Sequence, residues 1–75
     1  MNRDKLIGIR EIRCGGRTVQ VELFRNTGGS VAARCLLSPG DFPIIDGRNA
    51  DEALAAVEDA LEGLLLARGA AAAAP

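Results

Sequence analysis

Cys14 and Cys35 carry the side chains of this 75-residue chain that are best suited to covalent chemistry, because a thiolate is both a nucleophile and a ligand for soft metals. The chain has no histidine, so neither thiol has the commonest general base available to it. The two cysteines also lack the Cys-x-x-Cys spacing of metal and redox sites. An enzyme that acts through either thiol is therefore the least favoured interpretation, and we expect no enzymatic activity, cofactor or metal.

Arginines are the second group that could carry function, through contact with nucleic acid. Six of them are spread along the first 49 residues, where most of the positive charge lies: Arg10, Arg13, Arg17, Arg25, Arg34 and Arg48. Acidic residues interrupt the series, and the chain has no tryptophan or tyrosine to stack on bases. We therefore interpret the arginines as part of a solvated sheet face. A nucleic-acid-binding module that uses this face is the alternative function.

The elements that would position these groups begin with a β-hairpin. Val19, Val21 and Leu23 alternate with polar residues, which predicts a strand buried on one face. The glycine pair before this strand predicts a two-residue turn, since such turns need positive φ angles. The first strand then covers residues 6–13.

The apolar residues of this first strand change phase between Ile9 and Ile12. A plain antiparallel ladder would place Arg10 on the buried face. We predict a β-bulge at Arg10 and Glu11, which would let Ile7 face the core together with the other two isoleucines. The alternative is that Arg10 lies at the sheet edge with its guanidinium group extended into water.

A three-residue loop at residues 27–29 is predicted to join the second strand to a third. This loop length pairs Leu23 with Ala33 on the buried face. It also pairs Glu22 with Arg34 as an ion pair on the opposite face, and it places a glycine at the left-handed position of the loop.

A short fourth strand follows at residues 42–45, at the sheet edge because Pro43 cannot donate a backbone hydrogen bond. The predicted fold class is α+β: a three- to four-stranded antiparallel meander with one C-terminal helix packed on one face. Cys14 and Cys35 would lie two strands apart, about 10 Å, which exceeds the roughly 7 Å limit of a disulfide. We expect both to be free thiols.

The helix is predicted to begin at Ala50, with Asn49 as its N-cap and Glu52 completing a capping box. Capping explains this N-terminus better than phosphate binding, because nearby acids already occupy the positive end of the helix dipole. Its apolar stripe, which would cover the sheet, consists of Ala53, Leu54, Val57, Ala60, Leu61, Leu64 and Leu65.

The helix is predicted to end at Arg68 and Gly69, which gives a single domain over residues 1–68. The alanine-rich residues 69–75 are expected to form a disordered tail without function. The apolar run near the N-terminus is shorter than that of a secretory signal, so we expect a cytoplasmic protein with no membrane contact.

Gly47, followed by Glu52, Ala53 and Leu54 at the start of an amphipathic helix, resembles the N-terminal domain of HicB-type antitoxins over residues 19–66. The resemblance implies a protein-binding domain that sequesters a small basic ribonuclease toxin. It also implies that the acidic face of the helix makes the contact.

Two phenylalanines are all that this chain has, and the predicted registers turn Phe24 outward, away from the helix, together with Leu36. The candidate interface comprises Phe24, Leu36, Glu22 and Arg34 on the sheet, with Leu66 on the helix outside its core stripe. We therefore predict a noncatalytic protein-interaction or self-associating module, a homodimer or a partner-binding domain.

Overall fold

An antiparallel meander of four strands followed by one helix makes up the part of the chain that the computed structural model describes, residues 4–70. The elements are β1 Lys5–Cys14, β2 Arg17–Arg25, β3 Val31–Leu36, β4 Ile44–Gly47, α1 Ala50–Leu65 and a π-helical turn, Leu66–Ala70. The strands lie side by side in sequence order, and α1 packs on one face of the sheet. The predicted α+β class and meander topology are confirmed.

The two hairpin turns have the predicted lengths. Gly15 and Gly16 form the first turn with φ angles of 60° and 77°, which is the left-handed geometry of a two-residue type I′ turn. In the second loop Gly29 has a φ of 94°. The backbone N–H of Asn26, just before this loop, donates a 2.8 Å hydrogen bond to the backbone carbonyl of Ser30, just after it. The β2–β3 register is as predicted, with Leu23 opposite Ala33 and Glu22 opposite Arg34.

The predicted position of the β-bulge in β1 is wrong. The register shift lies between Leu6 and Gly8, and Ile9 is paired with Glu22 on the face away from α1. Arg10 therefore lies on the helix side, where its guanidinium extends over Gly8 and stays exposed, as in the alternative considered above. β1 is an edge strand, so an arginine there reaches water without burial.

The core lies between α1 and the face of the sheet that bears Val21, Ala33 and Cys35. Its fully covered residues are Val19, Val21, Leu23, Val31, Ala33, Cys35, Leu37, Ala53, Val57 and Leu61. Gly47 lies directly under the first turn of α1: a Cβ there would be 2.8 Å from the Ala53 Cα. The absence of a side chain at Gly47 thus lets β4 and α1 approach closely.

Asn49 caps α1 as predicted, because its side-chain oxygen accepts a 2.8 Å hydrogen bond from the Glu52 amide. The Glu52 carboxylate reaches back to the amide of Arg48, also at 2.8 Å, one residue before the position of a standard capping box. At the other end, Gly69 and Ala70 belong to the π-helical turn. The rest of the predicted tail, residues 71–75, lies outside the described residues.

None of the described helices is long and apolar enough to span a membrane. The cytoplasmic location stays a prediction from the sequence. Cys14 and Cys35 are free thiols, as predicted from the strand order.

Candidate functional site

The face of the sheet opposite α1, which we call the outer face, carries four of the five predicted interface residues. Glu22 and Phe24 lie on it from β2, and Arg34 and Leu36 lie on it from β3, because side chains alternate along each strand and the partners share a face. The fifth, Leu66, belongs to the helical layer on the other side of the sheet, where its side chain is 60% exposed.

Exposed apolar residues on both edge strands extend the outer face beyond the predicted set. Leu6 and Ile9 of β1 are each 48% exposed, and Ile44 of β4 is 61% exposed. Phe42, just before β4, is also exposed and contributes its ring to the same face, next to Arg34. Exposed apolar side chains therefore lie at both edges of the outer face.

Misplacing the bulge caused Ile9 to be missed, because the prediction required Ile7, Ile9 and Ile12 to face the core. Leu6 lies opposite Phe24 with either position of the bulge, so the predicted register could already have placed it on the outer face.

Phe42 and Ile44 alternate across Pro43, and this period-two pattern places both on one face once the β3–β4 register is known. That spacing was the signal in the sequence that could have identified them.

Arg34 lies at the centre of the outer face. Its Nε donates a 2.8 Å hydrogen bond to Oε1 of Glu22, and the carboxylate side chain is only 17% exposed. The guanidinium carbon is 5.3 Å from the centroid of the Phe24 ring and 5.4 Å from that of Phe42, which is cation–π distance. Two rings and a carboxylate thus hold one cation in a fixed position.

A shallow concavity of about 200 Å³ lies beside this cation, lined by Asp4, Phe24, Ala32, Arg34 and Ile44. Small-molecule sites usually enclose about 300–1,000 Å³. This concavity is smaller and lies on an open sheet, so it suits a side chain of a docked protein better than a cofactor or substrate.

The two thiols lie on different strands and in different surroundings. Cys35 is fully buried, and this burial raises the pKa of its thiol, which disfavours the nucleophilic thiolate. Cys14 is half-buried on an edge strand. Among residues 4–70 no group of three His, Cys, Asp or Glu side chains is placed to hold a metal ion.

The arginines are divided between surfaces rather than gathered on one. Arg10 lies on the helix side of β1, whereas Arg13 lies on the outer face opposite Thr18. Arg34 and Arg48 are engaged in ion pairs, the latter with Glu52 at 2.9 Å. These four arginines therefore do not lie on one face.

No family model, curated protein or solved structure matches this chain. The resemblance to HicB-type antitoxins therefore stays a prediction from the residues that carry it.

Proposed function

We propose that this chain is a small noncatalytic protein-interaction module that associates with a second copy of itself through the outer face of its sheet. The observation that carries the proposal is the exposure of Leu6, Ile9, Phe42 and Ile44 on the face of the sheet that α1 does not cover. Exposed apolar residues that occur singly need no explanation, but several of them on one open face of a sheet are typical of an interface.

The outer face is smaller than a standard protein–protein interface, which favours a weak contact. Four strands about 4.8 Å apart, with three rows of outward side chains about 7 Å apart, give a face of about 400 Å² per copy. A standard interface buries about 800 Å² per partner. We therefore expect reversible self-association with a Kd in the micromolar range rather than a permanent dimer.

Charge favours a second copy as the occupant of this face. Glu22 and Arg34 neutralise each other at its centre, so two copies can meet without bringing together an excess of either sign. A strongly charged partner would instead find no net opposite charge there.

Sedimentation velocity at several concentrations tests the proposal. We expect the wild type to shift from monomer to dimer over the micromolar range, and Phe24→Ser to remain monomeric. Leu66→Ser is the matched control, because Leu66 is an exposed leucine in the helical layer, and it should associate like the wild type. A wild type that stays monomeric at millimolar concentration would overturn the proposal, as would a folded Phe24→Ser variant that dimerises normally.

The alternative function, nucleic-acid binding, is not favoured by any contact of the described residues. Its test is a mobility shift of labelled RNA or DNA at low salt, and our proposal predicts no shift. The antitoxin-like interpretation would assign a small basic toxin to the acidic side of α1, where Asp51, Glu58 and Asp59 are exposed. That partner rests on the resemblance alone.

A further inference from the structure

One row of side chains crosses all four strands of the outer face. It has an apolar residue at each end and two opposite charges between them. Ile9 is paired with Glu22, Glu22 with Arg34, and Arg34 with Ile44. From one sheet edge to the other, the row is therefore apolar, acidic, basic and apolar. Its midpoint lies between β2 and β3.

A twofold axis that stacks two such faces lies in the plane between them. Of its two principal directions, along and across the strands, one makes this order complementary to itself. An axis parallel to the strands, between β2 and β3, places Ile9 over Ile44 of the second copy and Glu22 over its Arg34. An axis perpendicular to the strands would instead stack Glu22 on Glu22 and Arg34 on Arg34. Opposite charges attract and like charges repel across an interface, so the first arrangement is favoured.

The two central positions of the neighbouring row fit the same arrangement by size, while at its ends the axis places Leu6 over Asp46 of the other copy. Phe24 is paired with Ala32 on the outer face, and the parallel axis places each Phe24 over the small Ala32 of the other copy. Large residues over small ones let facing sheets interdigitate at a spacing of about 10 Å.

The Glu22 carboxylate of the central ion pair can accept a further hydrogen bond from a facing copy. Both hydrogen bonds that Arg34 donates to Glu22 end on Oε1, and among residues 4–70 no donor is bonded to Oε2. An arginine from a second sheet can therefore bond to Oε2 while the pair within the chain stays intact.

We propose, on the basis of the function proposed above, that two copies pack face to face about an axis parallel to β2 and β3, with Glu22 of each copy bound to Arg34 of the other. The four charges then form one closed ring at the centre of the dimer. This ring fixes the registry of the two sheets and disfavours the arrangement about the perpendicular axis.

Charge reversal tests the ring by sedimentation. Glu22→Arg alone and Arg34→Glu alone should each weaken self-association by at least about 100-fold, because each places like charges opposite one another. An equimolar mixture of the two variants should form a heterodimer with a Kd within about tenfold of the wild-type value, since every contact between the two copies is again between opposite charges. The double variant Glu22→Arg, Arg34→Glu should self-associate as the wild type does.

Isotope-filtered NOE spectra of mixed labelled and unlabelled wild type identify the axis without any substitution. Ile9 and Ile44 are about 14 Å apart within one sheet, so a contact between their methyl groups must come from two copies. An intermolecular Ile9–Ile44 NOE supports the parallel axis, even if a single variant fails to fold. Intermolecular NOEs restricted to Ile9–Ile9 and Ile44–Ile44 pairs would overturn it.

The outcomes separate this inference from the proposed function. If Phe24→Ser abolishes the dimer but the single charge reversals, folded by circular dichroism, do not weaken it, the outer face is the interface and the ring is wrong. If the wild type is monomeric, both fail.

Discussion

The two faces of the sheet are built by the same alternation along the same strands, yet they place their apolar residues differently. On the helix side the apolar residues occupy the central strands, where Val21 and Ala33 are completely buried under α1. On the outer face the central strands carry the Glu22–Arg34 pair, and exposed Ile9 and Ile44 lie on the edge strands. An apolar centre suits a permanent cover within the chain, whereas the outer face, with its charged centre, is the surface that we propose for reversible contact with a second copy.

The largest expected loss of stability comes from a cavity in the core, between α1 and the sheet. Leu61 is fully buried, so Leu61→Ala should lower the free energy of unfolding by about 2–5 kcal/mol through lost transfer energy and an unfilled cavity. Ile44→Ala on the outer face is the comparison, and it should cost less than about 1 kcal/mol under conditions where the protein is monomeric. Urea denaturation measures both. Equal losses would show that the outer face is also part of the folding core.

The next largest loss of stability is expected where β4 closely approaches α1. Gly47→Ala would place its Cβ against the backbone of Ala53, which cannot move like a side chain, so we expect a loss of about 1–3 kcal/mol. Gly28→Ala is the matched control, because its Cβ would meet no atom within 4 Å. Thermal unfolding should separate the two variants clearly. Full stability of Gly47→Ala would mean that α1 lies farther from the sheet than described.

The N-cap has a smaller effect, confined to the covering layer. Asn49→Ala removes the acceptor for the Glu52 amide and should cost about 1 kcal/mol of unfolding free energy. Asn49→Ser, which keeps a capping oxygen, should recover most of this loss. An alanine variant with the denaturation midpoint of the wild type would show that α1 does not depend on this cap.

The smallest effect appears only at alkaline pH. Burial raises the pKa of the Cys35 thiol, so this group stabilises the fold fully below the ordinary thiol pKa of about 8.5 and loses that contribution as the pH rises through the folded value. Above a pH of about 8.5, the free energy of unfolding should therefore fall more steeply with pH in the wild type than in Cys35→Ala. Parallel slopes would indicate that water reaches the thiol.

The sequence was sufficient to predict those parts of the fold that are determined by one requirement, namely which side chains must be buried. The β2–β3 register followed from requiring Val21 and Leu23 to meet apolar partners, and a wrong loop length would have buried Arg34. In β1 the same requirement misled, because an edge strand can turn Ile9 to the outer face and leave Arg10 in water.

The candidate surface was recovered in its centre and missed at its edges. Phe24 and Arg34 lie on β2 and β3, whose registers were predictable. Ile9 and Ile44 depend on the bulge in β1 and on how far β4 extends along β3, and both are decided by the pairing between neighbouring strands. The alternation of Phe42 and Ile44 indicates that they share a face, but only the β3–β4 register shows which face it is.

A dilution series of isoleucine-methyl NMR spectra is the most direct test of the difference between the two faces. Ile9 and Ile44 report on the outer face, whereas Ile12 and Ile45 pack against the core. Between about 10 μM and 1 mM, the range in which a small interface should form, we predict shifts of the Ile9 and Ile44 methyl signals with concentration and constant positions for Ile12 and Ile45. Unchanged Ile9 and Ile44 signals across this range would contradict the assignment of the outer face as the contact surface.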